Sequence, residues 1–490
     1  MAASGQPPHA SDTYSRSNHL LSRVPEKVDP RRPGRNGLCG WGISRGFGEC
    51  KRSFGRFDLR VASVLADTTP LRLSADYRRL WFGSTVSMLG QQMTALAVAV
   101  QVYDLTGSNF AVGLVGLFSL GPLIAFGLLG GAIADSMDRR KLGLIASSGL
   151  ALMSLVLAGQ AVLGLHQVWL LYGVVAVQSA FFAVNSPTRS AMIPRLIPAE
   201  HLPAANALSM LSMTLGMTVG PLLGGLVIGV WNMQTVYAVD ALGFGAALYA
   251  MWRLPAMAPE RVAAEGVADD AGVAGVAGVA GVAEKRQRAS VAEGFRFLRT
   301  RPNVRMTFLG DIAAMVFGMP RALFPAIAVA WYGGGSGTVG VLTAAPAVGA
   351  LAGALFSGWL GRVRYQGRAV IVSIVVWGLA ITAFGMSNWL WLGVFFLAAA
   401  GAADTISGVF RNTILQVATP DEMRGRLAGV FIVVVAGGPR LGDFESGSVA
   451  AVSTERISVI SGGLACVAVV LALAARWPGF WRYDAKDPKP

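Results

Sequence analysis

Apolar stretches of about 20 residues recur along the chain from residue 79 onward, separated by polar connections. A helix of about this length crosses the roughly 30 Å hydrocarbon core of a bilayer. The pattern therefore predicts twelve membrane-spanning helices, at 79–103, 110–134, 142–163, 168–188, 206–230, 234–253, 304–331, 337–360, 369–387, 389–412, 425–449 and 457–476.

The polar connections alternate between two kinds. One kind is basic, as at residues 139–141 and 253–305. The other kind, as at 104–109 and 332–338, carries no Lys or Arg, and Arg456 in the last such connection is the exception. Basic connections stay on the cytoplasmic side of a membrane, so both termini are predicted to be cytoplasmic.

The composition agrees with a membrane protein. Hydrophobic residues make up 53% of the chain and charged residues 14%, whereas about 25% is charged in soluble domains. The net charge of +14 lies mostly in the basic connections, where it faces anionic lipid headgroups rather than nucleic acid. The abundance of Ala, Gly, Val and Arg favours a GC-rich bacterial genome. We therefore expect a multi-pass protein of the bacterial cytoplasmic membrane.

Five regions follow from this pattern. Residues 1–72 are basic, Gly-rich and aperiodic, which predicts a disordered cytoplasmic tail. Two six-helix bundles are expected at 73–253 and 304–476. The linker at 254–303 contains AGV repeats and then an amphipathic surface helix, and 477–490 forms a second cytoplasmic tail.

The two predicted bundles are internal copies. A shift of about 222 positions superposes matching residues in separate regions, as in Arg189 and Arg411, Gly131 and Gly353, Arg140 and Arg362, and Gly220 and Gly442. Parallel repeats of this kind belong to transporters that rock two bundles around a site near the bilayer midplane. The predicted fold class is therefore all-α and integral to the membrane, with twelve helices in two pseudo-symmetric halves.

The stretch GAIADSMDRRK, residues 131–141, carries a motif between the second and third predicted helices. It resembles the G-x-x-x-D-R-x-G-R-R pattern of the major facilitator superfamily at Gly131, Asp135, Arg139 and Arg140. The resemblance implies a cytoplasmic gate in which Asp135 faces the start of the eleventh helix near Arg426. A carboxylate at a helix N-terminus is favoured by about 0.3–1 kcal/mol. An ordinary basic loop is the alternative.

A second motif, GMTVGPLLGG, occupies the fifth predicted helix. It resembles the pattern of superfamily exporters that exchange their substrate with protons. Small residues at this spacing allow helices to pack closely, and proline can kink a helix. Generic glycine-mediated packing is the alternative interpretation. The motif residues are Gly216, Gly220, Pro221, Gly224 and Gly225.

Residues 181–208 and 416–431 resemble the branch of the superfamily that includes enterobactin exporters and macrolide efflux proteins. The resemblance covers 75–476. It implies a secondary active transporter that exports a small amphipathic compound, such as a drug, macrolide or siderophore-like metabolite, by alternating access coupled to protons. A non-transporting sensor or scaffold, or a lipid-moving protein, with the same fold is the alternative.

Ionisable groups inside a bilayer are costly, so they are candidates for proton or substrate handling. Arg440 and Asp443 lie three residues apart and can share a helix face, where they either neutralise each other or act in transport. Gln91 and Gln92 stand where the branch often places an acid after a glycine, and could bind a polar substrate or join helices. The intramembrane candidates are Asp240, Asp311, Asp404, Arg440, Asp443, Glu445, Gln91 and Gln92.

No catalytic or cofactor motif accompanies these residues. The chain has no P-loop, G-x-S-x-G or H-E-x-x-H sequence, and its three Cys and four His form no ligand spacing. We therefore expect no enzyme activity and no cofactor or metal, with a proton gradient as the driving force. The expected partners are a small-molecule substrate and the lipid bilayer, without nucleic acid, and a monomer is expected to function.

Overall fold

The computed structural model describes residues 67–257, 293, 296–419 and 421–485, without the side chains of 128–136, 421–426 and 428–433. The expectations for residues 1–66 and for the AGV repeats lie outside this part of the chain. The described residues form helices joined by short connections, with no β-strand among them. The all-α fold class is therefore confirmed.

The first half contains six long helices. They begin and end as follows: α1 Ala75–Thr106, α2 Asn109–Ser136, α3 Arg139–Val162, α4 Val168–Leu196, α5 Leu202–Val230 and α6 Met233–Trp252. A single turn of helix, Thr69–Leu73, precedes α1.

The second half repeats this order, with one helix in two pieces. Its helices are α7a Pro302–Phe317, α7b Phe324–Ala330, α8 Ser336–Leu355, α9 Gln366–Met386, α10 Leu390–Ala418, α11 Asp421–Val452 and α12 Glu455–Arg476. A helix thus lies at each of the twelve predicted positions. Nine helical stretches in the described part are long and apolar enough to cross a membrane, and the count of twelve spans stays a prediction.

The continuous helix predicted at 304–331 is wrong in one respect, because the structure interrupts it. Gly318 ends α7a, and a short 3₁₀ turn, Arg321–Leu323, precedes α7b. Pro320 explains the break, since proline has no N–H to donate and disfavours helical backbone in the residue before it. The interruption places Arg321 beside Asp443 of α11.

The two halves have the same internal packing. In the first half α1 contacts α5 and α6, α2 contacts α4, and α3 contacts α4 and α6. In the second half α7a contacts α11 and α12, α8 contacts α10, and α9 contacts α10 and α12. These pairs correspond one to one, as expected for a parallel repeat. The halves meet mainly where α2 packs on α11 and α5 packs on α8.

We call the end of the bundle that carries the connections at 137–138, 197–201 and 363–365 the basic end, and the end with 107–108, 331–335 and 453–454 the short-loop end. The segment after α12 docks at the basic end. Phe480 is buried, and the Ala485 N–H donates to the Arg364 carbonyl over 2.9 Å. Arg364 donates a hydrogen bond to Asp484, and this bond raises the pKa of the Arg364 guanidinium. The segment predicted as a cytoplasmic tail, 477–490, is therefore anchored to the bundle as far as Ala485.

Candidate transport site

A charged cluster joins α7a and α10 inside the second half. Arg411 donates through Nη1 to Asp311 and, over 3.2 Å, through Nη2 to Asp404, which lies two turns earlier on its own helix. The side chains of Arg411 and Asp311 are 12% and 8% exposed, whereas that of Asp404 is 34% exposed. One guanidinium therefore serves two carboxylates, and the second carboxylate is the more accessible one.

The cluster faces a cavity of about 140 Å³ between α7a, α10 and α11. Thr307 and Asn412 add polar groups to its wall, and Phe308, Met315 and Leu415 add apolar ones. Ligand pockets are usually lined in this mixed way, but are roughly 300–1,000 Å³ in volume. In this conformation the cavity therefore has room for one functional group of a substrate rather than for a whole drug-sized molecule.

The matching place in the first half has an arginine but no acid. Arg189 of α4 donates to Ser87 over 3.3 Å, and its Nε and Nη2 atoms are buried without a hydrogen-bond partner. The first half has the related sequence LGQ at residues 89–91 where the second half has LGD at 309–311, so a glutamine follows the glycine instead of an acid. Within the described part of the chain, the charged cluster thus lies in the second half.

The glycines of the α5 motif lie in two helix contacts. Added Cβ atoms at Gly216, Gly220 and Gly224 would collide with Met88, Gln92 and Met93 of α1, respectively. On the opposite side, Gly225 of α5 faces α8. A Cβ built at Gly340 of α8 would lie 2.5 Å from the carbonyl oxygen of Pro221 in α5. The motif therefore lets α5 pack closely against both α1 of its own half and α8 of the other half. Its link to proton exchange stays a prediction.

The basic residues of the gate motif bind within their own half. Arg139 donates to the Ala191 carbonyl over 2.9 Å, and Arg140 donates to the Trp252 carbonyl over 2.5 Å. The side chains of Gly131, Asp135 and Arg426 lie outside the described residues. Their role in a gate is therefore still a prediction, whereas Arg139 and Arg140 tie α3 to α4 and α6.

Asp138, which replaces the second glycine of the family pattern, has a clear structural role. Its Oδ1 accepts from the N–H groups of Arg140 and Lys141 at the start of α3, and its Oδ2 accepts from the Met257 N–H. These contacts satisfy otherwise unpaired donors of the helix terminus. Asp138 thus caps α3 and fixes the start of the linker.

We expect the Asp138→Ala variant to lose about 1–2 kcal/mol of stability, because it removes an N-cap. Asp138→Asn should retain most of that stability, since asparagine caps helices about as well as aspartate. Thermal unfolding of the detergent-purified protein compares the two variants. Equal midpoints for the alanine variant and the wild type would contradict the capping role.

Arg440 and Asp443, for which the sequence leaves mutual neutralisation and a role in transport open, each bond to a side chain of another element. Asp443 accepts from Arg321 over 3.4 Å, whereas Arg440 donates to Ser119 of α2 over 2.8 Å and to the Ala436 carbonyl. The turn that interrupts α7 places Arg321 beside Asp443. Arg440 joins the two halves through Ser119.

Three further candidates lie outside the charged cluster. Asp240 of α6 is fully buried and accepts from two hydroxyl groups of α1 and α3. Gln92 packs under Gly220 at the contact of α1 with α5. Glu445 is partly buried in α11, two residues after Asp443. The structure therefore brings Asp311 and Asp404 together and leaves the other candidates at separate places.

Arg411 is the site residue that sequence reasoning missed. The internal repeat pairs it with Arg189 but gives it no role at the site. Its spacing of seven residues from Asp404 is the available signal, because residues two helical turns apart lie on one face. The contact with Asp311 cannot be read from the sequence, since it joins helices about 100 residues apart.

Solved transporter structures have this fold. The POT family transporter PepTSo matches with a TM-score of 0.65 at 13% identity, over 84% of this chain and 99% of that one. The nucleoside transporter NupG matches with a TM-score of 0.63 at 13% identity, over 82% and 99%. Together with the repeated halves, this likeness defines the class: the protein has the fold of a major facilitator superfamily transporter.

The family within that class follows from sequence comparison. The model of the transmembrane secretion effectors matches residues 65–485, and the chain belongs to that family. The chain is 29% identical to the enterobactin exporter EntS of Citrobacter koseri over 431 residues, covering 87% of this chain and 98% of the exporter. It is also 29% identical to EntS of Shigella boydii, over 84% and 94%.

These comparisons establish the general activity. The protein is a multi-pass transporter of the inner membrane, of the efflux type, that acts on a small molecule. It is not an enzyme. The relatives do not favour the alternative of a sensor, scaffold or lipid-moving protein.

Proposed function

We propose that this protein exports a small amphipathic compound by alternating access, driven by protons that enter the cell. The observation that carries the proposal is the Asp311–Arg411–Asp404 cluster on the cavity wall. A guanidinium shared by two carboxylates leaves one negative charge uncompensated when both acids are ionised. A buried uncompensated charge is costly, so the site favours an added proton or a cationic group of the substrate.

Within the cluster, Asp404 is the acid that binds the proton and the cationic group of the substrate in turn. It is the more exposed acid, and its hydrogen bond to Arg411 is the longer of the two. Asp311 is held by Arg411 in the interior of the half. Competition between the proton and the substrate for one place is the simplest way to couple their opposite movements, because each occupant must leave before the other binds.

Contacts between the halves support a conformation closed at the short-loop end. Asn109 donates to Glu455 over 2.7 Å, and Ser336 donates to the Gly225 carbonyl over 3.0 Å. The positive-inside rule assigns the short-loop end to the outer side of the membrane, so these contacts support closure on that side.

The substrate class is taken from the relatives and from the cavity lining. The two relatives named above are exporters of enterobactin. The cavity offers the charged Asp311–Arg411–Asp404 cluster beside apolar side chains and Phe308, which suits an amphipathic compound with a polar or charged substituent. A siderophore-like metabolite, a macrolide or a cationic drug has this chemistry.

Transport in inside-out membrane vesicles tests this proposal. The vesicles are energised to make their interior acidic, and a pH-sensitive dye reports the gradient while enterobactin, erythromycin or ethidium is added. We expect at least one compound to dissipate the gradient in vesicles with the wild-type protein. Asp404→Asn should abolish this proton release but retain exchange of labelled for unlabelled compound.

Asp76→Asn is the matched control, because Asp76 pairs with Arg79 at the protein surface. This variant should behave as the wild type. Accumulation of a compound by the wild type without any proton movement would contradict proton coupling. Undiminished proton release by Asp404→Asn would contradict the assignment of the exchange site.

A further inference from the structure

A column of buried polar side chains runs through the first half between α1, α3 and α6. On α1 and on α3 these residues recur every six or seven positions, which is about two helical turns. They therefore lie on one face of each helix, roughly 10 Å apart along its axis. The residues are Ser87, Thr94 and Gln101 on α1, and Ser147, Ser154 and Gln160 on α3. All six are at most 9% exposed.

The column has three levels along the helix axis. The level nearest the short-loop end is a cluster of two side-chain amides and a phenol. The side chains of Gln101 and Gln160 exchange hydrogen bonds of 3.3 and 3.1 Å. The Tyr237 hydroxyl of α6 donates to Gln101 Oε1 over 2.7 Å. Gln160 lies two residues before the end of α3, so the cluster begins close to that surface of the bundle.

The middle level holds Asp240, one turn after Tyr237 on α6. Its Oδ2 accepts from Thr94 over 2.9 Å and from Ser154 over 2.7 Å. Its Oδ1 is buried without a hydrogen-bond partner, at a place where α1 has Gly90. A Cβ at residue 90 would lie 2.6 Å from that oxygen, so the glycine provides the space for the carboxyl group.

No cation compensates Asp240 among the described residues. The helices packed against it present hydroxyl groups, from Thr94 on α1 and Ser154 on α3, and its nearest titratable neighbour on α6 is Tyr237. A carboxylate buried in this way costs several kcal/mol unless it is paired or neutralised. The unpaired Oδ1 is therefore the atom that is free to take a proton.

The level toward the basic end is polar as well. Ser147 donates to Asn185 over 3.4 Å, and Arg189 donates to Ser87 over 3.3 Å. Polar groups thus lie on both sides of Asp240 along the axis of the half. Hydrogen-bonding side chains inside a bilayer can simply join helices, but a lone acid between two polar levels is also the arrangement of a proton relay.

We propose that Asp240 is a second proton-binding site of the transporter, separate from the cavity and reached from the short-loop end past Tyr237, Gln101 and Gln160. Loading forms the Oδ1–H bond with a proton taken from water at that end. Release breaks this bond and passes the proton to water at the basic end, leaving the carboxylate bound to Thr94 and Ser154. The inference rests on the proposed proton coupling and adds one proton to each transport cycle.

The test measures how far a substrate accumulates in inside-out vesicles at a fixed pH difference. The highest accumulation that a transporter can reach is the ratio of proton concentrations across the membrane, multiplied by itself once for each coupled proton. Loss of one coupled proton therefore lowers that limit about tenfold for each pH unit of difference. Asp240→Asn retains the shape and both hydrogen-bond acceptor contacts. We expect it to lower the accumulation limit tenfold while the exchange of labelled compound stays at the wild-type rate.

Asp76→Asn serves as the control and should leave the accumulation limit unchanged. An Asp240→Asn protein with the wild-type limit would overturn the second site, while the first proposal would stand. If the wild type itself accumulates a compound without moving protons, the proposed function fails first, so that the two failures are distinguishable.

A second variant covers the case in which Asp240→Asn does not fold. Thr94→Val keeps the carboxyl group but removes one hydrogen bond that stabilises its ionised form. The proton is then released less readily, so transport should reach half its maximum at a higher pH than in the wild type. A role of Asp240 in helix packing alone would leave that pH profile in place, and an unchanged profile in folded protein would overturn the inference.

Discussion

Replacing Arg411 by alanine is expected to abolish transport and to destabilise the second half. The substitution leaves Asp311 buried at 8% side-chain exposure and Asp404 beside it, with no cation for either. Removal of one partner from a buried ion pair typically costs about 3–5 kcal/mol, because the remaining charge has lost both water and its counter-ion. The midpoint of thermal unfolding and substrate uptake into inside-out vesicles measure the two effects.

The double variant Arg411→Ala/Asp311→Asn distinguishes the physical cause. It removes the more buried of the two stranded charges together with the cation, so it should recover a large part of the stability but not the transport. Arg368→Ala is the control, because Arg368 stacks on Tyr365 and Trp481 at the start of α9. A double variant as unstable as Arg411→Ala would show that lost packing, rather than charge, explains the defect.

Substituting alanine for Gly349 is expected to destabilise the second half strongly, although it adds only one methyl group. A Cβ at this position of α8 would overlap the Ala398 carbonyl of α10. A backbone oxygen cannot rotate away as a side chain can, so the two helices must separate. Overpacking usually costs about 1–3 kcal/mol, and this contact belongs at or above the upper end of that range.

Gly337→Ala is the matched control on the same helix. Among the described residues, no atom of another helix lies within 4 Å of a Cβ at that position, which lies in the first turn of α8. Gly349→Ala should therefore destabilise the protein while Gly337→Ala changes stability little, as measured by thermal unfolding in detergent. A Gly349→Ala protein as stable as the wild type would contradict the close contact between α8 and α10.

The positions of the helices can be predicted from sequence because the bilayer imposes them. An apolar run must be about 20 residues long to cross the hydrocarbon core, and every backbone polar group in it must be bonded within the helix. Prediction fails where local chemistry overrides this rule, as at Pro320, which interrupts α7. The predicted ends of α4 and α10 are also too early, because both helices continue through polar residues at the basic end.

The candidate site can be predicted in part. Asp311 and Asp404 stand out because an acid in an apolar run is rare. Arg411 does not, since it lies at the end of a predicted helix, where a basic residue is ordinary. The partners of Arg440 and Asp443 cannot be predicted from spacing for a related reason. Residues three apart on a helix can pair, but partners from other helices compete for them.

The sequence by itself determined the membrane class, the two-fold repeat and the resemblance to major facilitator exporters, because hydropathy, loop charge and the constant offset between the halves are properties of the linear chain. The tertiary structure decided which charges meet. It placed Arg411 between Asp311 and Asp404, and it enclosed Asp240 with two hydroxyl groups. These contacts join helices distant in sequence, and helix rotation and packing set them in ways that no periodicity along the chain encodes.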